Sequence, residues 1–490
     1  MTVTESVLYE GLAERVQQQI QQGLFQPGER LPSVRKLAER ESVSVSTVLA
    51  AYERLERLRL IEARPKSGYF VLHQAREQLS EPSICSPPAR PVPAHISPLM
   101  MDLIDTRKRG RLNFSTAMPA QDTNIGRTLR RTFARLSREG KFLHNGGYGA
   151  LDGAEPLRRQ IALRSLDAGL TVSADDIIVT VGCQNAISLA LRVATRPGDV
   201  VAVESPCYLG FLQMIEAYGL KAIEIPSHPS DGLSLEALQL ALEQWPIRTL
   251  ISVPSFSNPL GSCMPTAKRR ALVDLLGKYD LTMIEDDIYG EMSFFTGQRP
   301  TAVKAFDRDG RVMLCSSLSK SIDPQLRVGW IMPGRHYNEV LHQKYITTLS
   351  LPELPQLAAA ELMAGGQYDR HLRHCRELYC SRLAELTDLV AEHFPPETKA
   401  ARPQGGIGLW LELPRHVDAT RLYYRAREHD FAFSPGELFA VDNRYQHCLR
   451  IIFAQPWTDE RKQAIAQLGA WVKEAIAVPP VSQRLPSEVS

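Results

Sequence analysis

Hydrophobic and polar positions divide the chain into two differently patterned parts. Near the N-terminus, apolar residues recur four positions apart, at Leu8, Leu12, Val16 and Ile20, which is the spacing of an amphipathic helix. Between residues 111 and 480, short apolar runs alternate with helical patterns. These runs are 177–180, 200–203, 249–253, 281–284 and 312–315. Such alternation predicts an α/β fold with a mostly parallel sheet, which binds ligands at the carboxyl ends of its strands.

The N-terminal pattern predicts three helices followed by a short basic hairpin. Gly23 ends the first helix, Ser33 is a suitable N-cap for a short second helix, and Ser44 caps a third. Two strand-like runs, 60–63 and 69–72, enclose a turn. The apolar stripe of the third helix is Val48, Leu49, Tyr52, Leu55 and Leu58. This arrangement is typical of a winged helix-turn-helix, whose third helix enters the major groove of DNA.

The amino-acid sequence of this segment resembles that of a known family. Its runs are Pro27-Gly28-Glu29-Arg30-Leu31-Pro32-Ser33-Val34-Arg35-Lys36-Leu37-Ala38, Thr47-Val48 and Tyr52-Glu53-Arg54-Leu55. They resemble the GntR family of bacterial repressors, and the resemblance covers nearly all of residues 1–73. It implies that Arg35 and the start of the third helix touch DNA. Val45 stands where relatives commonly carry an arginine, which leaves an apolar contact to a thymine methyl as the option there.

The candidate DNA contacts lie on the second helix, the third helix and the wing. Arg35 can fork onto a guanine edge, and Ser46 and Thr47 are short enough to reach bases or phosphate. Arg64 and Lys66 on the wing suit phosphates or the minor groove. The full set is Arg35, Ser44, Ser46, Thr47, Arg64 and Lys66. A helical protein-interaction module is the alternative, because the first 76 residues hold 11 Lys/Arg against 9 Asp/Glu, and electrostatics alone does not decide.

A proline-rich stretch, residues 74–110, is predicted to link the two parts. Its prolines are Pro82, Pro87, Pro88, Pro91, Pro93 and Pro98. Such a segment favours extended, semi-rigid backbone at about 3.1 Å per residue, so ~20 residues reach tens of ångströms. We expect a tether that lets the small module work away from its own large domain. That domain is predicted to span residues 111–480, with its first strand at 112–115, and to be followed by a polar tail at 481–490.

Lys320 is the most distinctive residue of the large domain. It follows the apolar run 312–315 and the serine-rich turn Ser316-Ser317-Leu318-Ser319, at the mouth of a predicted buried strand. Desolvation there lowers the pKa of a lysine and makes its amine a nucleophile toward an aldehyde. The serines and Arg327 suit a phosphate. An aldehyde that carries a phosphate indicates pyridoxal phosphate, whereas the turn taken alone is also compatible with a surface lysine.

Other strand ends carry residues that suit the same ligand. Gly182-Cys183-Gln184 opens a helix whose free amides would bind a phosphate. Tyr208 could stack on a planar ring, and Asn258 could donate to a phenolic oxygen. Asp286 belongs to three consecutive acids that need a cationic partner, which a pyridinium nitrogen would supply. Each signal alone also fits a plain helix start, a packing tyrosine or a turn.

In this order the runs resemble the fold type I pyridoxal-phosphate enzymes, the aminotransferase superfamily. The set is Tyr148-Gly149-Ala150-Leu151-Asp152-Gly153, Leu157-Arg158, Gly182-Cys183-Gln184, Tyr208, Asn258-Pro259-Leu260-Gly261, Asp286 with Tyr289, Ser317 with Ser319-Lys320, Arg327 and Leu449-Arg450-Ile451. The resemblance implies that Lys320 forms the internal aldimine and that Asp286 binds the ring nitrogen. It also implies that Tyr208 stacks on the ring, while Asn258 and Tyr289 hold the ring hydroxyl.

The same resemblance assigns residues to the anionic groups of the ligands. It implies that Ser317, Ser319 and Arg327 hold the phosphate and that Arg450 grips a substrate carboxylate. Tyr148 would reach the phosphate of the partner subunit, so the site would require a dimer. The chain departs from the family at Leu260, where threonine is usual, and at Ala117-Met118-Pro119-Ala120, where a Gly-x-Pro-Asp loop is usual. The second departure lies near the substrate, so no particular amino acid is assigned.

A GntR-type reader joined to an aminotransferase-like domain resembles the MocR family of transcriptional regulators. The resemblance implies a head-to-tail homodimer in which pyridoxal phosphate, or its adduct with an amino compound, shifts how the DNA-binding modules are held. We therefore predict a DNA-binding regulator that senses an amino compound through Lys320. A working aminotransferase with a secondary N-terminal module is the alternative, because the same residues serve sensing and turnover. A repressor whose large domain has lost its cofactor fits less well, since Lys320, Asp286 and Arg327 are all present.

Bulk composition agrees with a cytoplasmic regulator. The 490 residues suit two or three domains, and 44% hydrophobic with 23% charged residues is ordinary for a globular protein. The net charge of +2 is nearly neutral, so composition alone points to no nucleic-acid or membrane partner. The eight cysteines lack C-x-x-C spacing, which argues for reduced thiols and against a zinc site. Neither a signal sequence nor a membrane-length apolar run is evident.

Overall fold

The N-terminal module is the predicted winged helix-turn-helix. The structure, a computed structural model, describes residues 3–26, 28–58, 60–64, 67–71, 79–87, 90–93, 98–104, 111–140, 147–294 and 299–477. The module contains the helices α1 (Val3–Gln21), α2 (Val34–Glu41) and α3 (Val45–Arg57) and the antiparallel strands β1 (Ile61–Arg64) and β2 (Gly68–Val71). The predicted tail at 481–490 lies outside the described residues.

Both predicted N-caps are present, and one apolar stripe holds the module together. Ser33 and Ser44 accept from the third amides of their helices, at 3.3 and 3.1 Å. Because α3 buries positions 48, 52 and 55, Leu49 falls one residue outside the stripe and is 38% exposed. Leu8 is likewise exposed. The prediction that these two leucines face the core is therefore wrong.

The described parts of the proline-rich stretch lie on the large domain, which departs from the expectation of an extended tether. Residues 92 and 93 form a short edge strand, β3 (Val92–Pro93), and the helix α4 (Pro98–Ile104) follows. Ser83 donates from its amide and its hydroxyl to the buried carboxylate of Glu412, at 2.5 and 3.1 Å. Proline is tolerated at a sheet edge, because one side of such a strand needs no partner.

The large domain is built on a mostly parallel sheet, as predicted. Its strands are β5 (Ile178–Thr180), β6 (Val200–Ser205), β7 (Lys221–His228), β8 (Gly232–Leu233), β9 (Ile247–Ser252), β10 (Thr282–Asp286), β11 (Val312–Ser317) and β12 (Gly329–Met332). The order is β3-β7-β6-β9-β10-β11-β12-β5, with β8 beside β7. From β7 to β11 neighbouring strands are parallel, and β3, β12 and β5 pair antiparallel.

Helices cover both faces of this sheet, which explains the unbroken apolar runs of its strands. Val201 and Val203 of β6 pack into one buried cluster, while Val200 and Ala202 pack into another on the opposite face. The helices of this part are α5 (Ile125–Glu139), α6 (Glu155–Ser165), α7 (Cys183–Ala194), α8 (Leu209–Ala217), α9 (Leu235–Gln244), α10 (Thr266–Lys278) and α11 (Tyr337–Thr347).

A smaller C-terminal unit completes the domain and brings Arg450 to the sheet. Its elements are α12 (Glu353–Ala364), α13 (Gln367–His393), β13 (Lys399–Ala400), β14 (Gly408–Glu412), α14 (Ala419–Glu428), β15 (Phe431–Ala432), β16 (Ser434–Pro435), β17 (Cys448–Ile452) and α15 (Asp459–Ala477). The predicted first strand is β4 (Leu112–Asn113), which pairs with β15. All eight cysteines are free, and among the described helices none has the length and apolarity to span a membrane.

Leu55→Ala should destabilise the winged-helix module selectively. Leu55 is fully buried in α3, so its truncation should cost about 2–5 kcal/mol. Urea unfolding of the full chain, monitored through the amide exchange of α3, measures the loss in the free energy of unfolding. Leu49→Ala removes the same atoms from an exposed position of the same helix and should cost less than about 0.5 kcal/mol. Equal losses in the two variants would contradict the packing described for α3.

Candidate functional site

The carboxyl ends of the central strands meet around one cavity of about 310 Å³. Parallel strands place their following residues at the same edge of a sheet, so positions far apart in sequence converge there. The predicted site residues that line this cavity are Gln184, Tyr208, Asn258, Asp286, Tyr289, Ser319, Lys320, Arg327 and Arg450. The convergence supports a single site for all of these positions.

Lys320 is half-buried beside a backbone carbonyl. Its Nζ donates to the carbonyl oxygen of Ala117 at 2.5 Å. Burial, reinforced by the charge of Arg450, lowers the pKa of Lys320 to about 8, although Asp286 acts in the opposite direction. Near neutral pH a useful fraction of such an amine is unprotonated, and only the neutral amine attacks a carbonyl.

Asp286 is buried at the end of β10. The Cys183 thiol donates to its Oδ1 at 3.3 Å, and the amide of Ile288 donates to the same atom at 3.1 Å. Burial raises the pKa of Asp286 to about 6, against these two donors and the charge of Lys320. A buried carboxylate with few donors gains from a cationic N–H at its free oxygen.

The N-terminus of α7 and the guanidinium of Arg327 form an anion-binding corner. Gly182, the N-cap, has φ +80°, and a Cβ there would lie 2.6 Å from Arg327 Nη2, so only glycine fits. Arg327 is itself in the left-handed region, at φ 51°, and donates to the carbonyl of Val181 at 2.6 Å. Free helix amides beside a fixed guanidinium are suited to a phosphate.

Arg450 spans the opposite side of the cavity. It donates to Asn258 Oδ1 at 2.7 Å and to Ser434 Oγ at 3.0 Å, and also to the carbonyl of Ser115. Its Nε is buried without a hydrogen-bond partner. Burial lowers the pKa of Arg450, and a carboxylate that entered the cavity would compensate this desolvation.

Sequence reasoning missed several residues around Lys320 and Arg450. Ser115 and Ala117 contribute backbone carbonyls, which leave no side-chain signature in a sequence. Ser434 contributes a hydroxyl from a strand that carries no motif, and Met100 and Leu209 close the cavity with apolar groups. The loop at 117–120 carries the one sequence signal for these residues, because it departs from the family pattern at a place near the substrate.

Some predicted site residues do not face this cavity. Ser317 is buried and its hydroxyl accepts from the amide of Ser319 at 3.2 Å. The thiol of Cys183 points to Asp286 rather than to the anion-binding corner. Tyr148 is 84% exposed and does not line this cavity within the chain.

The predicted DNA contacts are mostly on the surface of the module. Arg35, Ser44, Ser46 and Arg64 are exposed, while Arg64 also pairs with Glu62 at 2.6 Å. Thr47 is buried, and its hydroxyl is 2.7 Å from Ser44 Oγ. Lys66 lies outside the described residues. The exposed members lie on α2, at the start of α3 and on β1.

Comparison with known proteins divides the chain at the same place as the fold. The aminotransferase class I and II profile matches residues 110–468, and the profile of the bacterial regulatory proteins of the gntR family matches residues 8–71. The chain is 42% identical to the uncharacterized HTH-type transcriptional regulator YjiR of Escherichia coli (strain K12), over 96% of this chain and 99% of that protein. It is 34% identical to YdcR of the same organism over the same shares.

A solved structure is similar to the large domain. It is LysN, an α-aminoadipate aminotransferase from Thermus thermophilus in complex with N-(5'-phosphopyridoxyl)-L-leucine. The TM-score is 0.71 and the identity 27%, with 79% of this chain and 96% of that chain covered.

The reaction of Lys320 with an aldehyde should follow the pKa of about 8 given by its burial. Its rate should rise with pH and level off above about 8, whereas free Nα-acetyl-lysine should keep gaining rate to about pH 10.4. Pyridoxal phosphate is the aldehyde, borohydride stops the reaction, and peptide mass spectrometry measures the label on Lys320. A rate that still climbs beyond about pH 9 would contradict the desolvated state of this lysine.

Proposed function

The chain belongs to the aminotransferase class I and II family and carries an N-terminal domain of the gntR family of bacterial regulatory proteins, and from this premise we propose a pyridoxal-phosphate-responsive transcriptional regulator. The observation that carries the proposal is the union, in one chain, of a gntR-family domain with exposed polar side chains and a cavity built around a desolvated lysine. YjiR and YdcR, which match this chain along 99% of their length, are named HTH-type transcriptional regulators.

The set of side chains that lines the cavity fits pyridoxal phosphate. When bound, this group supplies an aldehyde for an amine and an electron-poor ring. Gly182 leaves room beside Arg327, so a phosphate would meet helix amides, Gln184, Ser319 and a guanidinium together. The free oxygen of Asp286 would accept from the ring nitrogen, and the amine of Lys320 would hold the aldehyde carbon covalently.

The remaining cavity residues would orient the ring and an amino compound. Tyr208 would lie against the ring, while Asn258 and Tyr289 would hold its hydroxyl oxygen. Asn258 accepts from Arg450 through Oδ1, which leaves its amide nitrogen for this contact. The unpartnered Nε of Arg450 supports its assignment to an effector carboxylate.

The N-terminal module would bind DNA through the exposed residues described above. Arg35, Ser46 and Arg64 are available to bases or phosphates, while Thr47 would first have to leave its contact with Ser44. A DNA reader works where the chromosome is, so the proposal includes a cytoplasmic location.

Regulation requires that two arrangements of the domains differ in affinity for the ligand. An amine that takes the place of Lys320 frees this lysine and changes its contacts, which provides such a difference. The proposal includes a head-to-tail homodimer, in which the exposed Tyr148 would reach the phosphate bound by the second copy.

An active aminotransferase is the alternative function. The likeness to LysN and the complete set of cavity residues favour it, because the same groups would serve turnover. Steady transfer between an amino acid and an oxo acid at about 1 to 10³ per second would establish it. Turnover far below that range, together with DNA binding that changes with cofactor, would support the regulator.

Lys320→Ala should abolish the near-ultraviolet to visible absorbance band of protein-bound pyridoxal phosphate. The variant has no amine at the aldehyde, while the anion-binding corner at Arg327 remains. Titration of the purified chain with pyridoxal phosphate measures the band, and Lys344→Ala, which removes another buried lysine, serves as control. A band that persists in Lys320→Ala and disappears in the control would overturn the assignment.

Arg35→Ala should weaken binding to a specific DNA site by about 1–3 kcal/mol and leave binding to random DNA nearly unchanged. A specific site can be selected from a random DNA pool with the full chain, and fluorescence anisotropy gives both affinities. Arg40→Ala removes a second exposed arginine of α2 and should lower both affinities alike or neither. Uniform weakening by Arg35→Ala would make Arg35 a phosphate contact.

A further inference from the structure

Helix α13 contacts both the surroundings of Lys320 and the winged-helix module. We propose that α13 is the element that couples the cofactor site to the DNA-binding module, with the ion pair between Arg54 and Glu377 as its contact to the module. This inference rests on the proposed function, and it assigns the coupling to residues that touch neither cofactor nor DNA.

The first part of α13 holds the segment that follows Lys320. The hydroxyl of Tyr368 donates to Ser321 Oγ at 2.7 Å, and His371 Nε2 donates to the carbonyl of Ser321 at 2.6 Å. All three residues are buried. Because Ser321 is bonded directly to Lys320, a change in the backbone at the lysine acts on two hydrogen bonds of α13.

A third contact of α13 reaches the loop that contains Ala117, the residue whose carbonyl oxygen accepts from Lys320. The amide of Ala120 donates to the hydroxyl of Tyr379 at 2.9 Å, and Ala120 belongs to the loop whose Ala117 carbonyl accepts from Lys320. When the lysine amine is engaged by a ligand, this carbonyl loses its donor. The contacts of the loop, and of the helix that holds it, would therefore differ between the free and the bound state.

The middle of α13 meets the recognition helix of the module. Arg54 Nε of α3 lies 3.3 Å from Glu377 Oε1, and the two side chains are 17% and 27% exposed. Burial and the charges of Glu10 and Glu377 raise the pKa of Tyr9 of α1. Glu377 is six residues beyond His371, which corresponds to about 9 Å along a helix.

An ionic cluster anchors this part of α13 to the strand that carries Asp286. Arg376, the neighbour of Glu377, donates from Nε to the carbonyl of Glu291 at 2.8 Å. Arg299 donates to the carboxylate of Glu291 at 2.8 Å and is also paired with Asp287, the residue after Asp286. Such a chain of hydrogen bonds and ion pairs is a physical route by which coupling can pass between sites.

The module meets the large domain beside a charged cleft. This cleft has a volume of about 750 Å³ and is lined mainly by charged side chains, among them Glu10, Glu14, Arg164 and Arg373. Arg54 and Glu377 line the same cleft, so a shift of α13 would act on their ion pair.

Amide exchange of the full chain, with and without pyridoxal phosphate, tests this coupling. Addition of the cofactor should change the exchange rates of α3 by about fivefold or more, in the range of typical coupling between sites. In Glu377→Gln the change should fall below about twofold. The double variant Arg54→Glu with Glu377→Arg restores an ion pair of opposite polarity and should recover the wild-type response.

Glu385→Gln is the matched control. Glu385 is on the same helix, but its carboxylate pairs with Lys462 of α15 at 2.7 Å, so the response of α3 should persist in this variant. A response in Glu377→Gln equal to that of wild type would overturn the role of α13, and so would equal losses in Glu377→Gln and Glu385→Gln.

Tyr368→Phe tests the other end of the helix. It removes the hydrogen bond to Ser321 and keeps the ring, so the response of α3 should decrease although Glu377 is intact. An unchanged response would also count against the coupling. These outcomes are distinct from failure of the proposed function. If Lys320 binds the cofactor and DNA affinity responds to it in Glu377→Gln as in wild type, only the coupling through α13 is wrong.

Discussion

The site depends on the cost of burying charge at one edge of the central sheet. Lys320, Asp286 and Arg450 line one cavity, and burial disfavours the charged form of each. Burial shifts the lysine and aspartate pKa values toward neutrality, so both groups can change charge when a ligand arrives. A ligand with a cationic ring, a phosphate and an aldehyde satisfies these groups together, which links occupancy of the site to its electrostatics.

The same electrostatics serves either a regulator or an enzyme. A lysine of lowered pKa, a carboxylate for the ring and an arginine for a carboxylate are needed for binding an amino compound and for transforming it. A regulator and an enzyme differ in how they use the free energy of ligand binding. In a regulator part of that energy must drive a change of domain arrangement, so the contacts between the domains matter as much as the cavity.

Two features of the structure bear on that arrangement. The described parts of the proline-rich stretch are fastened to the large domain through Ser83 and β3, so much of the stretch is unavailable as free tether. The module meets α13 through the pair of Arg54 with Glu377 beside a charged cleft. Because the described parts of the stretch are fastened to the large domain, we expect a change at the site to reach the module through the contact with α13.

The sequence by itself determined the two-part architecture, the winged helix, the parallel strands and most of the charged and polar side chains that line the cavity. Local patterns suffice there, because strand runs buried on both faces are apolar throughout and their following residues share one edge. Only the tertiary structure decided that Cys183 serves Asp286, that Arg450 rests on Ser115 and Ser434, that Leu49 faces solvent, and that α13 touches both the neighbour of Lys320 and α3. These depend on backbone carbonyls, helix rotation and contacts between distant segments, for which a sequence has no local signal.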